Sequence, residues 1–299
     1  MIWWTKSWNL ITGCTKCSPA CANCYAEVLH TQRHKALLAG KKMAPCYSTP
    51  FAMVRFHPER LTDPLHWRKP QMIFVGNMGD VFHEGVKDEW LDRLFAVMVL
   101  CPQHTFMLLT KRPERMQRFV SGMDTAHLAW MLNKDLSEAQ IQANPHPWLL
   151  RNVLHGTTVW DQASMDETAK HMLKMPGGAR LFLSIEPMLG PVVIPPDLLK
   201  LLGWVICGGE TGAKARPMHP DWPRSLRDQC TSAGVPFFFK QWGEWAPWDF
   251  EYIDGARNVT GGRPHYKVDS FGAGEPKRVG TRKAGRVLDG QEWSEVPNG

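Results

Sequence analysis

Four cysteines fall within eleven residues, Cys14, Cys17, Cys21 and Cys24, in the run Gly13-Cys14-Thr15-Lys16-Cys17-Ser18-Pro19-Ala20-Cys21-Ala22-Asn23-Cys24-Tyr25. Reactivity, more than packing, decides where cysteines are kept, so thiols at this density read as ligands of a metal or cluster. A pair of disulfides is the competing use. Met1-Ile2-Trp3-Trp4-Thr5-Lys6 has neither the long apolar core nor the small-residue cleavage site of a signal peptide. The expected compartment is therefore the cytoplasm, where thiols stay reduced. The other four cysteines, Cys46, Cys101, Cys207 and Cys230, are scattered and read as small core residues.

Two sets of three ligands compete. Cys17, Cys21 and Cys24 give C-x3-C-x2-C, the spacing of radical S-adenosylmethionine (SAM) enzymes, and Cys14, Cys21 and Cys24 give the wider C-x6-C-x2-C. Three protein thiolates leave one iron of a [4Fe–4S] cluster open to the amino and carboxylate groups of SAM. A closed four-thiolate zinc site is the rival. Its cysteine pairs usually sit on separate hairpins, whereas here the two C-x2-C pairs are three residues apart, which favours iron and sulfur.

Such a loop needs a frame. Met72–Val75, Thr105–Leu109, Val153–Val159, Leu181–Ile185, Trp204–Cys207 and Val235–Phe239 are short apolar runs that read as strands. Helical patterns alternate with them at Asp88–Leu100, after Pro113, near Ser164–Leu173 and at Asp221–Ala233. Repeated strand–helix units require a parallel sheet, because parallel strands need crossovers. The predicted fold is α/β, a partial (β/α) barrel of six to seven parallel strands over 1–243. A helical insertion is expected near 122–150, and a loop-rich appendage over 244–299. Polar residues recur just after the strands, and a barrel carries its active site at that end.

Several further runs resemble one family, the phage-encoded "three-Cys-motif" radical-SAM-like proteins. They are Trp8–Glu27 with its cysteines, Gly79-Asp80-Val81-Phe82-His83, Leu109–Met116, Leu183–Pro191, Gly208–Pro220, Phe238–Trp245 and Arg282–Gly290. The resemblance spans nearly the whole chain. It implies a radical-SAM-like barrel, a [4Fe–4S] cluster, SAM and an external electron donor. The family's wide spacing maps the ligands onto Cys14, Cys21 and Cys24, with Cys17 as an extra thiol and alternative ligand. By position it also implies that Asn77 and Asp80, after the 72–75 strand, meet the SAM amino group.

Other strand-end residues are weighed by chemistry. Glu186 and Glu210 each follow an apolar run and are candidates for SAM hydroxyl or amino groups, with a helix cap or ion pair as the alternative. Ser184 shares a strand face with Glu186. Gly208 and Gly209 let backbone approach a ligand. Lys111 and Arg112 are two adjacent cations suited to a substrate phosphate or carboxylate, with Lys240 and His219 as lesser candidates. His83 reads as structural.

Hydrophobic content of 43% and charged content of 21% describe a globular chain, and no apolar run is long enough for a membrane span. The net charge of +6 fits a nucleic acid or nucleotide substrate without requiring one. The second functional class is a non-enzymatic zinc- or cluster-containing nucleic-acid-binding protein.

Overall fold

A computed structural model describes residues 3–123, 150–246, 250–251, 267–268 and 276–297. Seven strands form one parallel sheet in chain order: β1 (Lys6–Trp8), β4 (Met72–Val75), β5 (Thr105–Thr110), β6 (Val153–Thr158), β7 (Arg180–Ile185), β8 (Leu202–Gly208) and β9 (Phe237–Gln241). This is the expected α/β partial barrel. The strands form where the apolar runs lie: Ile73, Phe106, Leu108, Leu154, Phe182, Val205 and Phe239 are all buried. Helices on the crossovers cover such a sheet on its faces, which is why its strands are apolar on both sides. β2 (Ile11–Thr12) and β3 (Arg55–Phe56) form a separate antiparallel pair.

The chain divides into two compact units, residues 1–158 with 166–184, and residues 159–165 with 185–299. In the first, α1 (Tyr25–Leu38) follows the cysteines, α2 (Asp88–Leu100) links β4 to β5, and α3 (Pro113–Gly122) follows β5. α2 matches its sequence boundaries and buries Leu91, Leu94, Phe95 and Met98. Pro113 opens α3, where a missing N–H costs nothing. Most of the predicted insertion, residues 124–149, lies outside the described residues.

In the second unit, α4 (Gln162–Met172, of which 162–165 belong here), α5 (Pro196–Leu199) and α6 (Asp221–Ala233) accompany β8 and β9. α6 ends on Gly234, which takes φ of 68° and lets Val235 N–H close back onto Cys230 O. Residues 293–295 cover the outer edge of β9. Phe238 bridges Ser294 antiparallel, and Phe239 N–H donates to Trp293 O. An edge strand with three consecutive phenylalanines would otherwise template aggregation. Short strands also occur farther on, with β10 (Trp245–Ala246) paired to β13 (Lys277–Arg278) and β11 (Phe250–Glu251) to β12 (Lys267–Val268). Thr281–Ala284 forms α7. Among the described residues no helix is long and apolar enough to cross a membrane.

The first unit carries a titratable group in its core. His155 on β6 is 1% exposed, and its ring stacks on Phe95 of α2. Burial pushes its pKa down to about 4. The unfolded chain therefore binds a proton near pH 6.5 that the folded chain refuses until about pH 4. Stability is full above pH 6.5 and falls as pH drops through that window, by roughly 3 kcal/mol at its lower end at 1.36 kcal/mol per unit. Urea unfolding across pH 4–7 should show this loss, and His155→Leu should remove His155's share of it. An unchanged slope in the variant would assign the acid sensitivity to other groups.

Candidate functional site

The cysteine loop leaves β2 at Gly13, whose φ of 90° suits only glycine. Gly13 N–H donates to Met78 O at 3.1 Å, and Cys14 N–H donates to Phe51 O at 2.9 Å. Gly13 also bridges Gly79 in parallel. A Cβ on Gly13 would run into the carbonyl of Met53, and one on Gly79 into that of Gly13. The base of the loop is therefore fixed by backbone contact to the segment after β4.

The four thiols differ in setting. Cys14 and Cys24 pack on one apolar cluster, Ala26, Phe51 and Met78, together with Leu29. Cys24 is the N-cap of α1, where the free N–H groups of the first turn favour a negative ligand set. Cys21 closes a short 3-10 turn, Pro19–Cys21, and is buried, whereas Cys17 is exposed. Cys17 shares a hydrogen bond with Cys21 that favours thiolate at Cys21 and the proton at Cys17. Ser18 Oγ, 3.2 Å from Cys21 Sγ, and the charge of Lys111 act in the same direction on Cys21. Cys14 is pushed up to about 11, first by burial and then by Asp80.

Among the described residues no three His, Cys, Asp or Glu side chains are gathered as they would be around a single metal ion. The donors nonetheless suit an iron–sulfur cluster. All are soft thiols on one short loop, and a cluster's ligands stand farther apart than those around one ion. A closed zinc tetrahedron needs four thiolates drawn onto one point.

Arg112 and Asp80 differ most from their sequence-based roles. Arg112 is 8% exposed and Asp80 6%. Arg112 Nη1 lies 3.1 Å from Asp80 Oδ2, and Nε donates to Glu84 Oε1 at 2.8 Å. Its remaining contacts go to the cysteine loop: Nη1 to Cys14 Sγ at 3.6 Å, and Nη2 to Thr15 O at 3.2 Å and Thr15 Oγ1 at 3.4 Å. No donor is left for a substrate phosphate, so Arg112 is not an anion site. Asp80 accepts from Thr110 Oγ1 at 2.8 Å, Phe82 N–H at 2.9 Å and Lys111 N–H at 3.2 Å. With its lone pairs taken, it is a structural counter-ion and not a SAM ligand. Burial works against charge on Arg112, yet Asp80 and Glu84 hold its pKa above the ordinary value. Burial pushes Glu84 up, but the hydrogen bond and charge of Arg112 and a backbone N–H together hold it below its ordinary value.

His83 extends the network. Its Nδ1 accepts from Gly85 N–H at 3.0 Å, which leaves Nε2 to donate to Thr15 Oγ1 at 2.7 Å. Burial first, then Arg112, lowers its pKa, which favours this neutral form. The structural reading of His83 fits these bonds. The sequence held one clue to the network: Asp80 and Arg112 each follow a strand, and those strands, β4 and β5, are neighbours.

Asn77, also after β4, is positioned and unspent. Its amide donates to Ser7 Oγ at 3.0 Å, its carbonyl accepts from Tyr25 Oη at 2.7 Å, and its side-chain oxygen is buried without a partner among the described residues. Ser184 is buried on β7 opposite Thr158.

The second unit holds the remaining candidates. Glu186 pairs with Lys240 at 2.6 Å, both partly exposed, and a Cβ on Gly208 would touch the Glu186 carboxylate. Lys240 lies within β9 and not after it. Glu210 is 5% exposed and is clamped by Arg216, whose backbone N–H and Nε each reach Oε2 at 2.8 Å. Arg216 explains the buried carboxylate without any ligand. Gly209 does allow a close approach, but to the backbone of Trp242. His219 Nδ1 accepts from Asp221 N–H at the start of α6.

These observations define an α/β partial-barrel protein with a thiol-rich loop at its candidate site. The chain belongs to the family described as "Protein of unknown function (DUF5131)", which matches residues 1–297. No curated protein and no solved structure matches it.

Proposed function

We propose that this chain is a radical SAM enzyme whose [4Fe–4S] cluster is held by Cys14, Cys21 and Cys24. The observation that carries the reading is the cysteine loop, with two half-buried thiols on one apolar wall and a third favoured as thiolate by its neighbours. The parallel β/α sheet is consistent with it. When bound and reduced by an external electron donor, such a cluster supplies the electron that cleaves SAM into methionine and a hydrogen-abstracting 5′-deoxyadenosyl radical.

The chain's own groups do the rest. Ala26, Phe51 and Met78 shield Cys14 and Cys24 from water. Asn77, held by Ser7 at its side-chain amide and by Tyr25 at its backbone carbonyl, stands after β4 as the proposed polar neighbour of the SAM ammonium group. The proposed substrate is a nucleic acid or nucleotide, on the charge excess and on Lys111, a strand-end cation whose charge acts on Cys21.

Anaerobic reconstitution tests the chemistry. A brown protein with about four iron and four sulfide per chain is expected, and dithionite with SAM should then release 5′-deoxyadenosine. Zinc at about one per chain, with no iron taken up, would replace this reading with a structural zinc protein. Binding of DNA, RNA or nucleotides that weakens as salt rises would support the substrate class.

A further inference from the structure

Three thiols hold the proposed cluster, and some contact must keep Cys14, and not its more exposed neighbour Cys17, in the set. We infer that Arg112 is the positioning residue that ties the Cys14–Thr15 segment to the ends of β4 and β5, and that its N–H on the Cys14 sulfur keeps Cys14 in the ligand set of the cluster. The second half rests on the proposed cluster, and the first does not.

The geometry is specific. Arg112 lies 98 residues from Cys14, and one planar guanidinium spans a carboxylate on each side and the loop in front. Its orientation is set from behind, because Thr110 Oγ1 accepts the Arg112 N–H at 2.9 Å and donates to Asp80. Asp80 in turn receives two backbone N–H groups. The fork is therefore locked before it meets the loop. On the loop side it binds a carbonyl and a hydroxyl of Thr15, and His83 fixes that hydroxyl from a third direction. Lysine could not reproduce this, having one point charge where arginine has five directed donors.

Cys17 has no comparable support. It is exposed, and it shares a hydrogen bond with Cys21. When a cluster is bound, an N–H to a ligand sulfur and a nearby positive charge both stabilise the reduced form, so they raise its potential. Groups that orient metal ligands in this way typically contribute about 10–100-fold to affinity.

Arg112→Gln and Arg112→Lys test both halves. In the metal-free chain, amide hydrogen exchange at Cys14, whose N–H is bonded to Phe51 O, should accelerate in both variants. Buried Cys46 and Cys101 should stay protected from alkylation, which certifies the fold. In the reconstituted chain, Arg112→Gln should lose iron to a chelator roughly 10–100-fold more readily, and its midpoint potential should fall. Arg112→Lys, which keeps the charge, should lie between it and the native chain. Native exchange together with native iron retention and potential in the lysine variant would overturn the inference, even if the glutamine variant failed to fold. If the native chain takes up no cluster, the proposed function fails, and exchange at Cys14 still decides the tether.

Discussion

Reconstituted chains carrying Cys14→Ala, Cys21→Ala or Cys24→Ala should hold essentially no iron, whereas Cys17→Ala should keep a full complement. The spacing of the cysteines permits either Cys14 or Cys17 as the third ligand. Their surroundings separate them. Cys14 is anchored through its N–H to Phe51, shares the Ala26–Phe51–Met78 wall with Cys24, and receives an Arg112 N–H. Cys17 stands in solvent on a stretch without backbone pairing of its own. Moving Cys14 away would mean breaking contacts at both Gly13 and Arg112, and a cluster recruits the ligand that is already held. Iron and sulfide analysis of the four variants, purified without oxygen, is the measurement. Loss of iron in Cys17→Ala with retention in Cys14→Ala would reverse the assignment and remove the reason for the Arg112 contact.

The parts of this fold that were legible in the sequence are those where burial writes a period. α2 and the apolar strands fell close to their expected bounds because each buries a face or a whole run. β1 was missed for the opposite reason. It is an edge strand of three residues, two of them exposed, and only Trp8 is buried. α1 was missed because its fourteen residues bury only Ala26 and His30, so no apolar stripe marks it. The cysteines could be read because ligand chemistry needs particular residue types. The Asp80–Arg112 network could not, because an isolated carboxylate or guanidinium at a strand end looks the same whether it awaits a ligand or a partner. Only the pairing of β4 with β5 brings the two together. Glu210 repeats the lesson, since its partner Arg216 lies six residues on in a loop with no periodic signal.

Asp80→Asn should destabilise the folded chain by about 3 kcal/mol, near the lower end of the cost of breaking a buried ion pair. The side chains of Asp80 and Arg112 are 8% and 7% exposed, so water does not screen the unpaired guanidinium. The amide keeps the shape of the carboxylate but turns one acceptor into a donor, facing Thr110, two backbone N–H groups and Arg112. Glu84 still faces the guanidinium at 2.8 Å, which keeps the loss from being larger. Arg112→Gln should cost a similar amount by leaving Asp80 unpaired. The double variant should then be distinctly more stable than the sum of the two losses implies, because neither partner remains to be stranded. Urea unfolding of the metal-free proteins measures all three without reference to the cluster. Additive losses would show that Asp80 and Arg112 act separately, and the tether on Cys14 would then have to be carried by the Thr15 and His83 contacts alone.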